Sequence, residues 1–513
     1  MKRRLLLLLA AIFIVSFFSG VYASSFTGDT IYLIMTDRFF DGDKTNNFGG
    51  EIFSQDKKDW KLYWGGDFQG IIDKIPYLKS LGVTAIWITP VVENTEKLYW
   101  YGGDEKIAGY HGYWAKDFKK INPHFGTLEK FKELVDTCHK NGIKVILDIV
   151  LNHTSPAGQG IDGALYYDGK LLGDYSHDAG GYFHHNGSID FSKDKDLGNY
   201  YYRNLLDLAD LSQDNPYVYE MLKDCYLFWL DTGIDGFRLD TVKYIPPFYL
   251  NDFVKSMKQK KDVFVFGEWY DAGPENDLAC FYEKKADIPL IDFSNTHYMK
   301  EVFVNDNSFK VLEDYYKVLP NFKYVNEKVN FIDNHDMPRI MSLLSQKYGE
   351  EEAEKRTQIA VYTMMLTPGI PCIYYGTEQF MHKDIATPWG FGSDPYNRQM
   401  MESFKLNNFG KNLKKLSDLR KENPAVSEGD IKVLEADKDV FVFERNYNGS
   451  SILFAANKGP KKRICLKNLN IKDGYYSKNN PECQTVIGEN IEVKDAGTVI
   501  ELDKYETGVY ANK

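Results

Sequence analysis

The chain has 513 residues, 43% hydrophobic and 26% charged, an ordinary globular balance in a length that calls for two or three domains. Its formal net charge of −11 argues against nucleic acid, whose binding rests on Lys and Arg neutralising phosphate, and is compatible with a neutral polysaccharide. Aromatic residues reach 15%, including 36 Tyr and 33 Phe, which suits either a large aromatic core or flat platforms for sugar rings.

In chain order, Lys2, Arg3 and Arg4 precede an apolar run from Leu5 to Phe18, and Val21-Tyr22-Ala23 supplies small residues for cleavage after Ala23. The run is short of the roughly 20 residues a membrane span needs. Residues 1–23 therefore read as a secretory signal rather than an anchor, and the mature chain is expected outside the cell, free of the membrane. Four times a helix-like segment ends at a glycine, followed by Ile or Val and a short apolar strand. The glycines are Gly82, Gly142, Gly233 and Gly369, and the strands are Thr84–Ile88, Lys144–Val150, Gly236–Asp240 and Pro371–Tyr375. Thr30–Met35, Val263–Gly267, Pro289–Phe293 and Val329–Asp333 complete eight strand candidates, the number of a (β/α)8 TIM barrel.

The spacing breaks after the third strand. From Ser155 to Tyr202 the chain is rich in Gly, Asp, His, Asn and Tyr without a helical period, and so long an insertion in a barrel is usually functional. Past Asn423-Pro424, the runs Ile431–Glu435, Val440–Asn446, Ser451–Ala456 and Thr498–Leu502 read as antiparallel strands joined by Asn-Gly-type turns. The expected division is barrel 24–152, insertion 153–207, barrel 208–424 and a C-terminal all-β sandwich 425–513. No C-x-x-C pair occurs among the six cysteines, which disfavours zinc or redox chemistry. Cys138, Cys225 and Cys372 fit buried thiols, and Cys465 with Cys483 could form a local bridge.

Chemistry gathers at strand ends. In Asp235-Gly236-Phe237-Arg238-Leu239-Asp240, strand alternation puts Arg238 and Asp240 on one side, as a structural ion pair or a catalytic one. Glu268 stands just past an apolar run and a glycine. Asp333-Asn334-His335-Asp336 and the polar residues of the run Val145 to His153 leave two further strands. Four strands thus deliver Asp, Glu, His and Arg to the end where barrel enzymes assemble their sites. Several carboxylates with no evident Ser or Cys nucleophile point to glycoside hydrolysis, which needs two positioned carboxyl groups.

These segments resemble the signature regions of the α-amylase superfamily, in its order and spacing, nearest to cyclodextrin glucanotransferases and allied amylases. Thr36-Asp37-Arg38-Phe39, Tyr110-His111-Gly112-Tyr113-Trp114, Leu208-Ala209-Asp210-Leu211 and Tyr374-Tyr375-Gly376-Thr377-Glu378 extend the likeness over nearly the whole mature chain. The resemblance implies Asp240 as nucleophile, Glu268 as acid and then base, and Asp336 as the residue that holds the distorted sugar and keeps Glu268 protonated. It implies Arg238 as the partner of Asp240, with His111, His153 and His335 on sugar hydroxyls and Tyr113 as the stacking platform. Lys243, Phe191 and Tyr270 fall on the acceptor side, and Asp394 and Arg398 on the donor side.

The resemblance also implies calcium, in two sites. The loop Asp41-Gly42-Asp43-Lys44-Thr45-Asn46-Asn47 crowds hard oxygen donors, although a polar turn would look similar. It is not an EF-hand, since its sixth and twelfth positions are Asn46 and Ile52. Asp41, Asp43, Asn46 and Asn47 with Gly65 and Asp67 would form the first site. Asn152, Asp210 and backbone carbonyls near Tyr201 and Tyr244 would form the second.

Two departures from the glucanotransferases bear on the product. They carry Tyr or Phe before Asp-Leu-Ala-Asp where this chain has Leu206, and His where it has Tyr244. The chain also ends after one β domain. The expectation is a monomeric, secreted α-amylase acting on α-glucan, with a cyclodextrin-forming glucanotransferase as the alternative and a catalytically silent binding barrel as the reading from another class.

Overall fold

The computed structural model describes residues 26–512 except 101–105, 159–161, 194, 271–276, 389 and 495; the expected signal at 1–23 lies outside the described residues. Seven short strands form one parallel ladder: β1 (Ile31–Ile34), β2 (Ala85–Ile88), β3 (Lys144–Ile149), β4 (Gly236–Leu239), β5 (Phe264–Gly267), β6 (Val329–Asn330) and β7 (Ile370–Tyr374). Their order is β5-β4-β3-β2-β1-β7-β6, so chain neighbours are mostly spatial neighbours. The expected sixth strand, around residues 289–293, is reduced to single parallel bridges, Gly267 with Leu290 and Ile291 with Val329. Those bridges close the ladder between β5 and β6, and the fold is the expected TIM barrel.

Helices return the chain to the start of each strand, among them α1 (Phe68–Ser80), α2 (Leu128–Lys140), α3 (Pro216–Leu230), α4 (Pro247–Lys260) and α5 (Asp277–Ala286). At Gly82 and Gly142 φ is +82° and +73°, the left-handed step that ends α1 and α2 and that a side chain would strain. No helix among the described residues is long and apolar enough to cross a membrane.

The insertion after β3 is anchored in two ways. His153–Pro156 pairs antiparallel with Leu208–Asp210, while Leu165–Tyr167 and Lys170–Gly173 join a four-stranded sheet with Ala115–Ile121 and Val92–Asn94. That sheet was not read from the sequence, because its strands are short and only half apolar. A single turn, Leu197–Tyr201, is the insertion's one helix among the described residues.

The C-terminal domain explains its own apolar runs. In Val440–Tyr447 and Ser450–Asn457, Phe441, Phe443, Ile452, Phe454 and Ala456 pack into the barrel's core. Val440, Val442, Leu453 and Ala455 pack the opposite way, against Ile464, Tyr476, Ile491 and Ile500 of the second β layer. Both faces are buried, so the strands read as continuous hydrophobics rather than as an alternation. Cys138, Cys225 and Cys372 are buried free thiols. Cys465 and Cys483 are free too: they sit in different sheets, with backbone partners Val499 and Asn512.

Candidate active site

One buried guanidinium organises the barrel's upper end. The register of β3 and β4 sets Arg238 beside Asp148, and strand alternation turns Asp240 to the same side. Arg238 Nη1 lies 2.9 Å from Asp148 Oδ1 and 2.7 Å from Asp240 Oδ1, and Nη2 lies 2.9 Å from Glu268 Oε1. The other Asp148 oxygen accepts the Trp87 indole N–H at 3.0 Å and the Tyr113 hydroxyl at 2.7 Å. Thr241, directly after Asp240, has φ +50°, a conformation costly for a β-branched residue by about 1–3 kcal/mol. In it the Thr241 N–H donates to Glu268 Oε2 at 3.1 Å.

Burial pushes the Glu268 carboxyl up to about 7 and the Asp240 carboxyl up to about 6, against the pull of Arg238 on both. Asp240 and Asp336 reinforce the rise at Glu268 by like charge. Arg238 itself stays fully charged, because Asp148 and Glu268 outweigh the cost of its burial. Between those two values Glu268 keeps its proton while Asp240 is ionised. A proton donor and an anionic nucleophile then face one space, the assignment that retaining glycoside cleavage requires.

Asp336 is the opposite case. Burial would raise its carboxyl, but His335 and Arg398 overrule it and hold it well below the ordinary range. His335 Nε2 is 3.0 Å and Arg398 Nη2 3.2 Å from its oxygens, and Arg398 Nη1 reaches Asp394 at 3.0 Å. Arg398 Nε and Asn397 Nδ2 both donate to the His335 carbonyl, fixing that loop. The Tyr113 ring lies parallel to His335 at 5.4 Å and is stacked with His111 at 5.7 Å. Burial holds His111 well below its usual value and His153 down at about 4, so both are neutral near pH 7. Both ring nitrogens of His153 are buried without a protein partner, as suits a group that meets a ligand hydroxyl.

Further out, Phe191, Leu206 and Tyr270 are each about half exposed. Phe191 lies 6.4 Å from Tyr200, and Tyr270 lies 5.0 Å from Phe293. Lys243 extends over the rings of Tyr200 and Trp269. Leu206 has φ +56°, and its carbonyl accepts from Ser188. Tyr270 stands near enough to feel the catalytic carboxylates: burial, and then the charges of Asp336 and Glu268, push its hydroxyl up.

Two groups of oxygens fit a hard cation. Asp41 Oδ1, Asn46 Oδ1 and Asn47 Oδ1 are buried without hydrogen-bond partners. Gly65 has φ +87°, and a Cβ there would come within 2.3 Å of Asn47 Oδ1, so this loop and Gly65 converge closely. Asp43 caps Thr45 with one oxygen. Asp67 departs from the simple expectation: its oxygens accept from Gly42, Asp43 and Gly70 N–H and from Asn46 Nδ2, so it clasps the loop and caps α1. In the second group, Asn152 Oδ1 and Asp210 Oδ1 are buried and unpartnered. Burial drives the Asp210 carboxyl up to about 7, opposed by its hydrogen bond and charge interaction with His184. Tyr201 and Tyr244 share one small cluster beside the insertion. Among the described residues no group of three or more His, Cys, Asp or Glu side chains is placed to hold a metal ion; the unpartnered donors named here are mainly amide oxygens.

Four contributors escaped the sequence reading. Asp148 lay in a run already singled out, and its signal was an acid in an apolar strand level with Arg238. His184, whose Nδ1 is 2.7 Å from Asp210 Oδ2, sat among other histidines of the insertion. Trp87 looked like core, and nothing in the sequence marks the strained Thr241.

The sequence profile described as "Alpha amylase, catalytic domain" matches residues 33–422. A cyclomaltodextrin glucanotransferase of Paenibacillus macerans is 40% identical over 469 residues, 88% of this chain but 63% of that protein. This chain therefore spans less than two thirds of that relative. An α-amylase of Niallia circulans is 37% identical, covering 93% of this chain and 89% of its own. A solved structure described as a cyclomaltodextrin glucanotransferase with a three-domain ABC distribution superposes with a TM-score of 0.87 at 39% identity, covering 94% of this chain and 99% of the other.

Asp148 raises the Asp240 carboxyl by like charge and competes for Arg238. Asp148→Asn should therefore move the acid limb of the pH–kcat/KM profile down by about one unit, with the base limb moving less. A limb that stays or moves upward would contradict this electrostatic order.

Proposed function

Since this chain belongs to the α-amylase family, we propose that it is an exported enzyme that cleaves internal α-1,4-glucosidic bonds of starch-like glucans with retention of configuration. The observation that carries the reading is the Arg238 cluster, with an ionisable Asp240 and a protonated Glu268 on one guanidinium. Glu268 gives its proton to the departing glycosidic oxygen while Asp240 Oδ attacks the anomeric carbon, forming a glycosyl ester. Glu268, now anionic, takes a proton from the incoming acceptor, whose oxygen displaces Asp240. Asp336, held ionised by His335 and Arg398, binds sugar hydroxyls and keeps Glu268 protonated between substrates. Tyr113 offers its ring to the sugar at the point of cleavage, and the neutral His111 and His153 bind its hydroxyls.

Water is the main acceptor on this reading, because Leu206 lacks the flat ring about which a long glucan could curl. A glucanotransferase reading is supported by the relatives near 40% identity that bear that name. A solved structure described as a three-domain glucanotransferase, aligned over 99% of its length, supports it as well. Calcium would be held by Asp41, Asn46, Asn47 and Gly65 in one place and by Asn152 and Asp210 in the other. It would neutralise buried oxygens and fasten the insertion to the barrel, a structural service outside the bond-making steps.

Asp240→Asn and Glu268→Gln should each lower kcat by roughly 10³-fold or more, about 4 kcal/mol of barrier, with unchanged circular dichroism. The unmodified enzyme should show a bell-shaped kcat/KM with limbs near 6 and 7, the acid limb from Asp240 and the base limb from Glu268. Retention of most activity in either variant would remove it from the mechanism.

Strong chelation should lower the melting midpoint, and added calcium should restore it, because a ligand of the native state alone adds about 2.7 kcal/mol at 100 times its Kd. A midpoint indifferent to chelator would refute both cation sites.

Chromatography of the products of starch digestion decides between the two acceptors. Linear maltooligosaccharides should dominate, and Leu206→Tyr should raise the ratio of cyclic to linear products. Cyclodextrins as the chief product of the unmodified enzyme would replace the hydrolytic reading with the glucanotransferase one.

A further inference from the structure

Of the two acids in the run Asp333-Asn334-His335-Asp336, the bond-making steps use only Asp336. Asp333 is 2% exposed, and its carboxylate ties separate parts of the chain together. Oδ2 accepts the Ile340 N–H at 3.0 Å, and Oδ1 accepts the Thr377 hydroxyl at 2.9 Å. Ile340 opens the helix Ile340–Tyr348, and the residue before it, Arg339, caps no N–H of that helix with its own side chain. Asp333 therefore satisfies a helix N–H from the far end of the loop that carries His335 and Asp336. Thr377 lies in the turn after β7, so the same carboxylate pins the loop to the end of the neighbouring strand. Burial raises the Asp333 carboxyl, opposed by Arg339, by these two hydrogen bonds and by Lys300.

Asp336 depends on this loop more than the other two carboxylates of the site do. Asp240 and Glu268 both meet Arg238, which stands on a barrel strand. Asp336 is served by His335, a member of the loop, and by Arg398. Arg398 Nε donates to the His335 carbonyl at 2.9 Å, and Asn397 Nδ2 donates to the carbonyls of His335 and Met337 at 2.7 and 2.9 Å. The Asp336 N–H itself donates to Asn334 Oδ1 at 2.9 Å. Those contacts shape the loop around Asp336. Asp333 closes it, because it joins the loop's first residue to the helix at its other end, while Arg339 Nη1 holds the Tyr375 carbonyl at 2.9 Å beside the same turn.

We propose that Asp333 is a positioning residue, which closes the loop carrying Asp336 and so holds the Asp336 carboxylate against the sugar ring in the transition state. The inference rests on the glycosidase reading of the cleft, in which Asp336 grips the distorted ring. Loss of the clasp costs transition-state stabilisation more than substrate binding, since Tyr113, His111 and His153 lie outside the loop. The clasp needs two hydrogen bonds rather than a charge. Asn keeps both, with Oδ1 accepting from the Ile340 N–H and Nδ2 donating to the Thr377 oxygen, and Ala keeps neither.

The test measures maltoheptaose turnover and the melting midpoint of the full mature chain in Asp333→Ala, Asp333→Asn, Thr377→Val and Asp336→Asn, with the first and third also combined with the fourth. Asp333→Ala should lower kcat by about 10²-fold with KM within about threefold, the effect of moving a reacting group by about 1 Å. Asp333→Asn should recover kcat to within about tenfold of the unmodified enzyme, because its hydrogen bonds match. In the Asp336→Asn background, Asp333→Ala should cost less than about threefold, since a residue that acts through Asp336 has nothing left to position. Thr377→Val replaces only the hydroxyl on Asp333 Oδ1. It should lower kcat several-fold with the same dependence on Asp336, and it carries the test where Asp333→Ala does not fold. An equal loss with and without the Asp336 carboxylate, an Asp333→Asn as slow as Asp333→Ala, or full kcat in the clasp variants would overturn the inference and leave the cleft's function standing. Most of the activity surviving in Asp336→Asn alone would strike the reading of the cleft, and this inference with it.

Discussion

A single buried arginine constrains the rest of the molecule. Arg238 cannot shed its charge, so the barrel must surround it with carboxylates, and three reach it: Asp148, Asp240 and Glu268. They come from three adjacent strands, which requires parallel strands in a fixed register, with Arg238 level with Asp148 and Phe266. Three carboxylates around one guanidinium leave an excess of negative charge among almost wholly buried groups. The cheapest relief is one retained proton, and the proton goes to Glu268, whose burial and neighbours push it highest. The proposed acid and nucleophile thus differ because Glu268 and Asp240 share a cation unequally. Asp336 stays outside that arrangement because Arg398 and His335 serve it separately.

The outer parts of the chain hold this arrangement still. The C-terminal strands Val440–Tyr447 and Ser450–Asn457 are buried on both faces, so that domain is joined to the barrel by core packing; Phe309 and Phe441 stack across the boundary at 5.2 Å. Asp306 adds a node there, meeting Arg356 of the barrel and Lys438 and Lys458 of the β domain. The insertion is joined by a sheet shared with Ala115–Ile121 and Val92–Asn94 and by a short antiparallel pair that ends at Asp210, next to the unpartnered side-chain oxygen of Asn152.

Much of this was legible in the sequence, for physical reasons that differ by element. The barrel strands announced themselves because burial on both faces makes a run such as Val145–Leu147 uniformly apolar, with a glycine at positive φ before four of them. The strand at 289–293 was legible as a pattern although it makes only two bridges, because its side chains still fill the barrel. Asp240, Glu268 and Asp336 stood out as acids directly after apolar strands. Asp148 did not, because its identity as a partner depends on the register between β3 and β4, a pairing across about 90 residues that no local pattern encodes. Thr241 was invisible because a positive φ at a non-glycine leaves no compositional trace. The clasping role of Asp67 was hidden by its neighbours: an Asp in an oxygen-rich loop looks like a ligand whether or not backbone N–H groups already occupy it. The smaller strands of the β domain, such as Gly474–Tyr476 and Ile491–Val493, are too short for alternation to register.

The division of labour between strands and loops bears on the fate of the glycosyl-enzyme. On the proposed mechanism, every group that would make or break the bond is fixed by barrel strands or by the turns directly after them, and most are almost wholly buried. Every group that would choose the acceptor lies elsewhere: Leu206 at the end of the insertion, Phe191 within it, Tyr270 past β5, and Lys243 in the turn before α4. Loops tolerate change that the Arg238 cluster cannot, since on the proposed mechanism its carboxylates are themselves the nucleophile and the proton donor. Hydrolysis and transfer can therefore diverge on an unchanged catalytic set. Relatives at similar identity named as amylase and as glucanotransferase are what such an arrangement leads one to expect. The same reasoning limits what the carboxylates can reveal about product. On the proposed mechanism acceptor choice would fall to a few exposed side chains, and Leu206, half exposed on a left-handed backbone, is the one whose chemistry differs most from an aromatic platform.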